Sequence, residues 1–372
     1  MGGGPKPGFA MALDDSDLMN VVRSDASEEL YMVFSHIGFP RGKFAQSTLL
    51  SGARVDRLYL NTMDNDWYQR DIDQTADRLA ETISSLGPRR ITCAGSSMGA
   101  YASMLFGCRL GAQRVIAVAP EIKIGEPWQR SFLLNRTRVY DPRYTNLHDT
   151  IASASGVEIY VAAYDLIDLG GFDERLLDYA GVSVKFLSGD HKVSERLDWR
   201  RLYAGDGDIG VHRLSELPCN MHDYTEAKRA LHDGRIDDAS KLLLSRCEWS
   251  DFAPDFFFAA LYMPSTNIDA AIVLLQHALK LDSNSAQSLH QLGLCLAARG
   301  RRDEAVARFR DALAIHEAAP ATHFRLAETL AVLGLKGAAG AHLARALSLD
   351  PNNPAYQALA GRLRDKSPAA VP

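Results

Sequence analysis

The chain has 372 residues, 47% of them hydrophobic and 23% charged, with five cysteines and a formal net charge of -5. Such a length allows two or three domains, each with its own core, and the balance excludes wholesale disorder as well as a globally basic nucleic-acid binder. The cysteines, Cys93, Cys108, Cys219, Cys247 and Cys295, form no C-x-x-C pair, which points to free thiols in a reducing, cytoplasmic setting rather than to disulfides or a zinc site.

Residues 1–28 read as a tail or leader. Met1-Gly-Gly-Gly-Pro-Lys-Pro carries no apolar h-region, so a secretory signal is not expected, and Met11 offers an alternative start. No run approaches the roughly 18–20 apolar residues that a membrane helix needs. From residue 29 to 210 short apolar runs alternate with helical stretches. The expected strands are Leu30–Ser35, Arg57–Asn61, Ile91–Ala94, Val115–Ala119, Glu158–Ala163 and Val182–Leu187. The expected helices are Ile72–Leu86, Met98–Leu110, Asp173–Ala180 and Val193–Tyr203. Strands of four to seven β-branched and aromatic residues, separated by helices, predict an α/β domain with a parallel sheet covered on both faces. Pro120 to Gly156 interrupts the pattern with Trp128, Arg130, Arg136, Arg138, Tyr140, Arg143 and Tyr144, at the usual position for a lid or specificity loop.

From about residue 220 the strand signal gives way to a helical repeat. Gly293, Ala305, Phe309 and Ala312 recur 34 residues later as Ala327, Ala339, Leu343 and Ala346, and 34 residues earlier as Ala259, Ala271, Leu275 and Ala278. Small residues let paired helices approach, and the large one fills the space between hairpins. Gly234-Arg-Ile-Asp-Asp-Ala239 matches Gly300-Arg-Arg-Asp-Glu-Ala305, which marks a degenerate earlier unit. This pattern resembles the tetratricopeptide repeat. It divides 220–365 into units of about 220–251, 252–285, 286–319 and 320–354, with Tyr356–Arg364 as a capping helix and 366–372 as a tail. The resemblance implies an all-α solenoid whose groove takes a protein partner.

The sharpest local signal is Gly95-Ser96-Ser97-Met98-Gly99, between the strand Ile91–Ala94 and the helix that follows. A serine at such a turn needs small neighbours two residues away, because its backbone is strained, and Gly95 and Gly99 meet that need. The segment resembles the nucleophile elbow of the α/β-hydrolase superfamily, with Ser97 at the nucleophile position. The resemblance implies an acid and then a histidine at the ends of later strands. Tyr164-Asp165-Leu-Ile-Asp168 follows one such strand and Ser188-Gly-Asp-His191 the next. His191 is therefore expected to be the general base. Asp165, first after its strand, is expected to be the orienting carboxylate, with Asp168 as the alternative; Asp190 reads as an N-cap.

The same resemblance implies an oxyanion hole from the Met98 amide and one amide of the loop Ser35-His36-Ile37-Gly38-Phe39-Pro40. Ile37 is preferred there over Gly38 and His36, and His36 is expected to shape the loop. Arg41, Trp67 and Tyr68 are candidate substrate-binding residues at the same sheet edge, for a polar or anionic acyl ester or a sugar stacked on Trp67. The histidines show no metal-ligand spacing, and the chemistry requires no metal or organic cofactor. The expected activity is that of a serine hydrolase of esterase type cleaving an acyl ester, targeted by its repeats to a protein or to glycan assembly. The competing expectations are a scaffold with an inactive hydrolase domain and an acyltransferase using the same triad.

Overall fold

The computed structural model describes residues 18–24, 27–62, 65–87, 90–206, 211–212, 221–263 and 267–365. Most of the expected N-terminal tail, Cys219 and the 366–372 tail lie outside the described residues. The chain divides into two compact units, residues 1–215 with 219–232, and residues 233–372 with 216–218.

The first unit is built on an eight-stranded sheet. Its strands are β1 (Met19–Val22), β2 (Glu29–Phe34), β3 (Asp56–Leu60), β4 (Arg90–Ser96), β5 (Arg114–Val118), β6 (Val157–Ala162), β7 (Val182–Leu187) and β8 (Val211–His212). They lie in the order β1-β3-β2-β4-β5-β6-β7-β8. The six inner strands are mutually parallel, and β1 and β8 pair antiparallel at the two edges. Nearly continuous burial along β3, β4 and β5 is what a parallel strand covered on both faces demands.

β1 corrects the expectation that residues before Leu30 are only a tail. Its four residues are too few to show alternation by themselves, and β3 supplies the partner, Met19 facing Leu60 and Val22 facing Arg57. Because β3 lies on one side of β2 and β4 on the other, the winding reverses between β2 and β4. A crevice at the carboxyl ends of the strands opens at such a reversal.

The helices α1 (Ile72–Leu86) and α2 (Met98–Arg109) lie where the sequence places them. Every residue of α2 from Met98 to Gly107 is buried, as suits a helix apolar on all sides. The segment between β5 and β6 carries two short helices, α3 (Arg130–Leu134) and α4 (His148–Ala152). α5 (Leu166–Gly171) follows β6.

Two expected helices are shorter than their apolar patterns. Asp173–Ala180 holds only a 3-10 turn, Glu174–Asp178. Val193–Tyr203 splits into a 3-10 turn, His191–Glu195, and α6 (Trp199–Ala204). The break falls at Asp198, whose carboxylate accepts from the Arg200 and Arg201 amides and so starts a new helix.

α7 (His222–His232), read from sequence as part of the repeats, belongs to the first unit. Thr225 Oγ1 donates to Gly170 O on α5 at 2.9 Å, and Glu174 accepts from the Met221 amide at 2.9 Å.

The second unit is all α: α8 (Ile236–Arg246), α9 (Ala253–Leu261), α10 (Ile268–Leu281), α11 (Ala286–Ala298), α12 (Arg302–Ile315), α13 (Pro320–Val332), α14 (Lys336–Leu349) and α15 (Pro354–Asp365). Successive helices from α9 onward form antiparallel hairpins at the 34-residue period, and the small and large residues of the repeat are buried within them. A methyl at Gly293 would lie 2.6 Å from the ring of Phe309, so this slot takes glycine where its counterparts take alanine. α15 closes the stack, with Tyr356 and Leu359 packed on Phe324, Ala327, Leu343 and Ala346.

Candidate active site

Ser97 stands between β4 and α2 with φ 52° and ψ -120°, a conformation that a residue with a side chain rarely adopts. Its amide donates to Val118 O at 2.9 Å, which ties the turn to β5. A methyl on Gly95 would collide with the Gly99 carbonyl, and one on Gly99 with the Phe34 carbonyl. These two glycines let the turn close on itself and press α2 against the end of β2.

The strained turn aims the hydroxyl at His191. His191 Nε2 lies 2.8 Å from Ser97 Oγ, and its Nδ1 lies 2.9 and 3.0 Å from the two carboxylate oxygens of Asp168. Asp190 accepts from the Lys192 amide and caps the turn that carries the histidine, the role read for it from sequence. Ser97 and His191, expected together, are brought together.

The carboxylate on the histidine is Asp168, and the expectation of Asp165 is corrected. Asp165 Oδ1 accepts from the Ile167 and Asp168 amides at 2.9 and 3.1 Å, capping α5, while its Oδ2 takes Arg130 Nη2 at 2.5 Å. The residue first after the strand thus satisfies the helix's orphan donors, and the one a turn later is free to face His191. Asp168 is buried, and its pKa is raised, first by burial and next by the charge of Asp165; the histidine and Arg130 oppose that rise.

The loop after β2 is held rigidly beside the serine. Tyr68 OH donates to Ser35 O at 2.9 Å and Leu60 O at 3.1 Å, and Asn61 Nδ2 reaches Phe39 O, Pro40 O and Lys43 O, each at 3.2 Å. Gly38 N donates to Asn65 Oδ1 at 3.3 Å, which engages one of the three candidate oxyanion amides and leaves those of Ile37 and His36. His36 Nδ1 lies 3.0 Å from Ile37 O and its ring meets Phe39 edge-on, consistent with a loop-shaping residue. Met98 opens α2, so its amide has no acceptor within the helix.

Trp67 and Tyr68 are largely buried, and Tyr68 shows only an edge to a pocket it shares with Asn61, Thr62, Asp66 and Arg70. They are 0% and 6% exposed, Trp67 packing edge-on against Tyr101 and Tyr68 bracing the loop after β2. The backbone explains the difference. Asn65, Trp67 and Tyr68 all have φ near 50°, and this left-handed run folds both rings inward. Arg41 is exposed.

The arginines of the segment between β5 and β6 are largely engaged inside the unit, Arg138 with Asp66 and Arg143 with Asp73 and Asp141. Arg130, read from sequence only as one residue of the lid or specificity loop, reaches Asp165 and, at 3.4 Å, Asp168. Behind this pair lies Glu121, whose carboxylate accepts from the Ser131 amide at 3.1 and 3.2 Å and whose pKa burial pushes up to about 7. Among the described residues no group of three or more histidine, cysteine, aspartate or glutamate side chains is set to hold a metal. No helix among them is long and apolar enough to cross a membrane.

Residues 296–363 match the family model described as tetratricopeptide repeat. No curated protein sequence matches the chain. YrrB, a TPR protein with an unusual peptide-binding site, is 17% identical at TM-score 0.35, over 38% of this chain and 74% of its own. MamA of Desulfovibrio magneticus RS-1 is 15% identical at TM-score 0.37, over 39% and 83%. A mutant of the capsule O-acetyltransferase of Neisseria meningitidis serogroup A, in complex with CoA, is 14% identical at TM-score 0.41, over 50% and 90%. The 34-residue period, the buried hairpin slots and the matching family model together establish that the C-terminal region of this chain carries tetratricopeptide repeats.

Proposed function

We propose that this chain is a serine esterase of the α/β-hydrolase type, with Ser97 as nucleophile, His191 as general base and Asp168 as the residue that orients the imidazole. One observation carries the reading: Ser97 Oγ at 2.8 Å from His191 Nε2, on an imidazole whose other nitrogen is held by a buried carboxylate. The strained φ of Ser97 and its place at the winding reversal between β2 and β4 support it.

In this mechanism His191 takes the serine proton as Oγ attacks the acyl carbonyl, and Asp168 stabilises the imidazolium. The Met98 amide and one amide of the 36–37 turn donate to the oxyanion. His191 returns the proton to the leaving alcohol, and the acyl group stays on Ser97. Water, activated by the same histidine, then releases the acid. An acceptor alcohol in place of water makes the protein an acyltransferase with no change of residues.

The repeats support a targeting role toward a protein partner, with an acyl ester, of a glycan or a small molecule, as substrate. The cysteines described, Cys93, Cys108, Cys247 and Cys295, are all free, which suits a cytoplasmic setting.

Fluorophosphonate labelling of the purified chain tests the reading. Wild type is expected to label, and Ser97→Ala and His191→Ala are expected not to, with melting temperatures nearly unchanged. Absence of labelling in a folded wild type, or full labelling of Ser97→Ala, refutes the assignment and favours a scaffold. Release of free acid from a short-chain ester, compared with ester exchange in the presence of added alcohols, separates hydrolysis from transfer.

A further inference from the structure

Two cations from separate elements, one partly buried and one buried, stand around the helix that carries the carboxylate on His191. Arg130 opens α3, its side chain 20% exposed, and touches both Asp165 and Asp168. Lys228 comes from α7, the helix that sequence alone assigns to the repeats. It is 5% exposed, and among the described residues its Nζ has no hydrogen-bond partner. Its stem runs along α5, where a methyl on Gly170 would stand 3.2 Å from its Cδ and Cε. The charges drawing on this ammonium are Glu121, Glu126, Asp168 and Asp165.

A lysine desolvated without a hydrogen-bond partner is costly to the fold, so packing alone does not account for it. What it contributes is charge. Asp165 and Asp168 are carboxylates of one buried cluster, and two such groups without counter-charge tend to share a proton. A protonated Asp168 no longer stabilises an imidazolium.

We propose that Arg130 and Lys228 are positioning residues for the triad, two cations that keep Asp168 ionised against its burial and against Asp165. The inference rests on the serine-nucleophile reading above. The charged groups facing Asp168 are Asp165 in the loop before α5, His191 after β7, Arg130 on α3, Glu121 after β5 and Lys228 on α7. Arg130 acts by contact and Lys228 through space. Burial lowers the pKa of Lys228 to about 8, so the lysine keeps its charge through the neutral range in which a serine–histidine pair works.

The test is the rate of fluorophosphonate labelling from pH 5 to 9 at constant ionic strength, in full-length wild type, Arg130→Met, Lys228→Met and Lys228→Arg. Loss of a nearby cation makes the histidine–aspartate pair hold a proton more tightly, so the acid limb moves to higher pH. A displacement of about half to one pH unit is expected for Lys228→Met and at least as much for Arg130→Met. At pH 6 the rate then falls by about 3- to 10-fold, while at pH 9 it stays within about twofold of wild type. Lys228→Arg is expected to restore the wild-type profile.

A Lys228→Met profile that superimposes on wild type overturns the proposal and leaves the triad intact. So does an equal loss at every pH, the mark of a merely structural residue. If Lys228→Met does not fold, Lys228→Gln replaces it; failure of both while Lys228→Arg folds also refutes the positioning role. A wild type without Ser97-dependent labelling removes the triad itself, and this inference with it.

Discussion

Asp165 and Asp168 are the same residue type three positions apart, and the helix between them decides what each does. Asp165 spends one oxygen on the first amides of α5 and the other on Arg130, while Asp168, at the third helical position, faces His191. Asparagine caps a helix about as well as aspartate, so Asp165→Asn is expected to keep the labelling rate within about tenfold of wild type. Asp168→Asn removes the charge that orients the imidazole and is expected to cost about 10³–10⁴-fold. Labelling rates of the two purified variants decide it, and equal losses would return Asp165 to the triad. The signal was present in the sequence: an aspartate directly before a helix, in the spacing Asp-x-x-Asp, is a cap before it is anything else.

Glu121 makes a prediction of a different kind. Its folded pKa of about 7 exceeds the ordinary carboxylate value, with burial as the first cause, so the folded chain holds a proton that the unfolded chain has released. Raising the pH from about 4.5 to about 7 therefore removes stability, on the order of 3 kcal/mol across that window, and the loss is complete above it. Glu121→Gln cannot ionise and is expected to lack this component. Urea melts of wild type and variant at pH 5 and pH 8 measure it, and parallel pH dependence would contradict the buried ionisation.

Among the elements, those with a strong local pattern are where the sequence puts them. α1 coincides with its expected span, β7 does too, and the other inner strands agree within one or two residues. What was missed is short. β1 and β8 are edge strands of four and two residues that exist because a neighbour pairs with them. α3, α4 and α5 have five or six residues, too few for a period of 3.6 to be read.

α7 is the instructive error. It has the amphipathic look of a repeat helix, yet its buried side carries Tyr224, Ala227 and Lys228 in the sheet-containing unit. A chain ending after residue 232 is accordingly expected to be soluble, to melt cooperatively and to label at Ser97. A chain ending after 219 loses the Thr225 and Met221 bonds and the lysine, and is expected to melt roughly 5 °C or more lower. Equal melting temperatures would show that α7 is dispensable.

At the scale of the molecule, the sequence by itself determined the two architectures, the strand–turn–helix around Ser97 and the 34-residue period. Each is a local property, written in alternation, in glycines that a turn requires, or in residues that repeat at a fixed distance. The tertiary structure alone decided which aspartate faces His191, that Trp67 and Tyr68 turn inward, that Gly38 is occupied by Asn65, that Arg130 reaches that aspartate, and that Lys228 is buried against α5. These depend on which of several equivalent polar groups lies nearest once distant segments meet. A carboxylate or an ammonium looks the same in sequence whether a helix amide, an ion pair or a histidine takes it, because that choice is set by distances of about 3 Å between residues tens of positions apart.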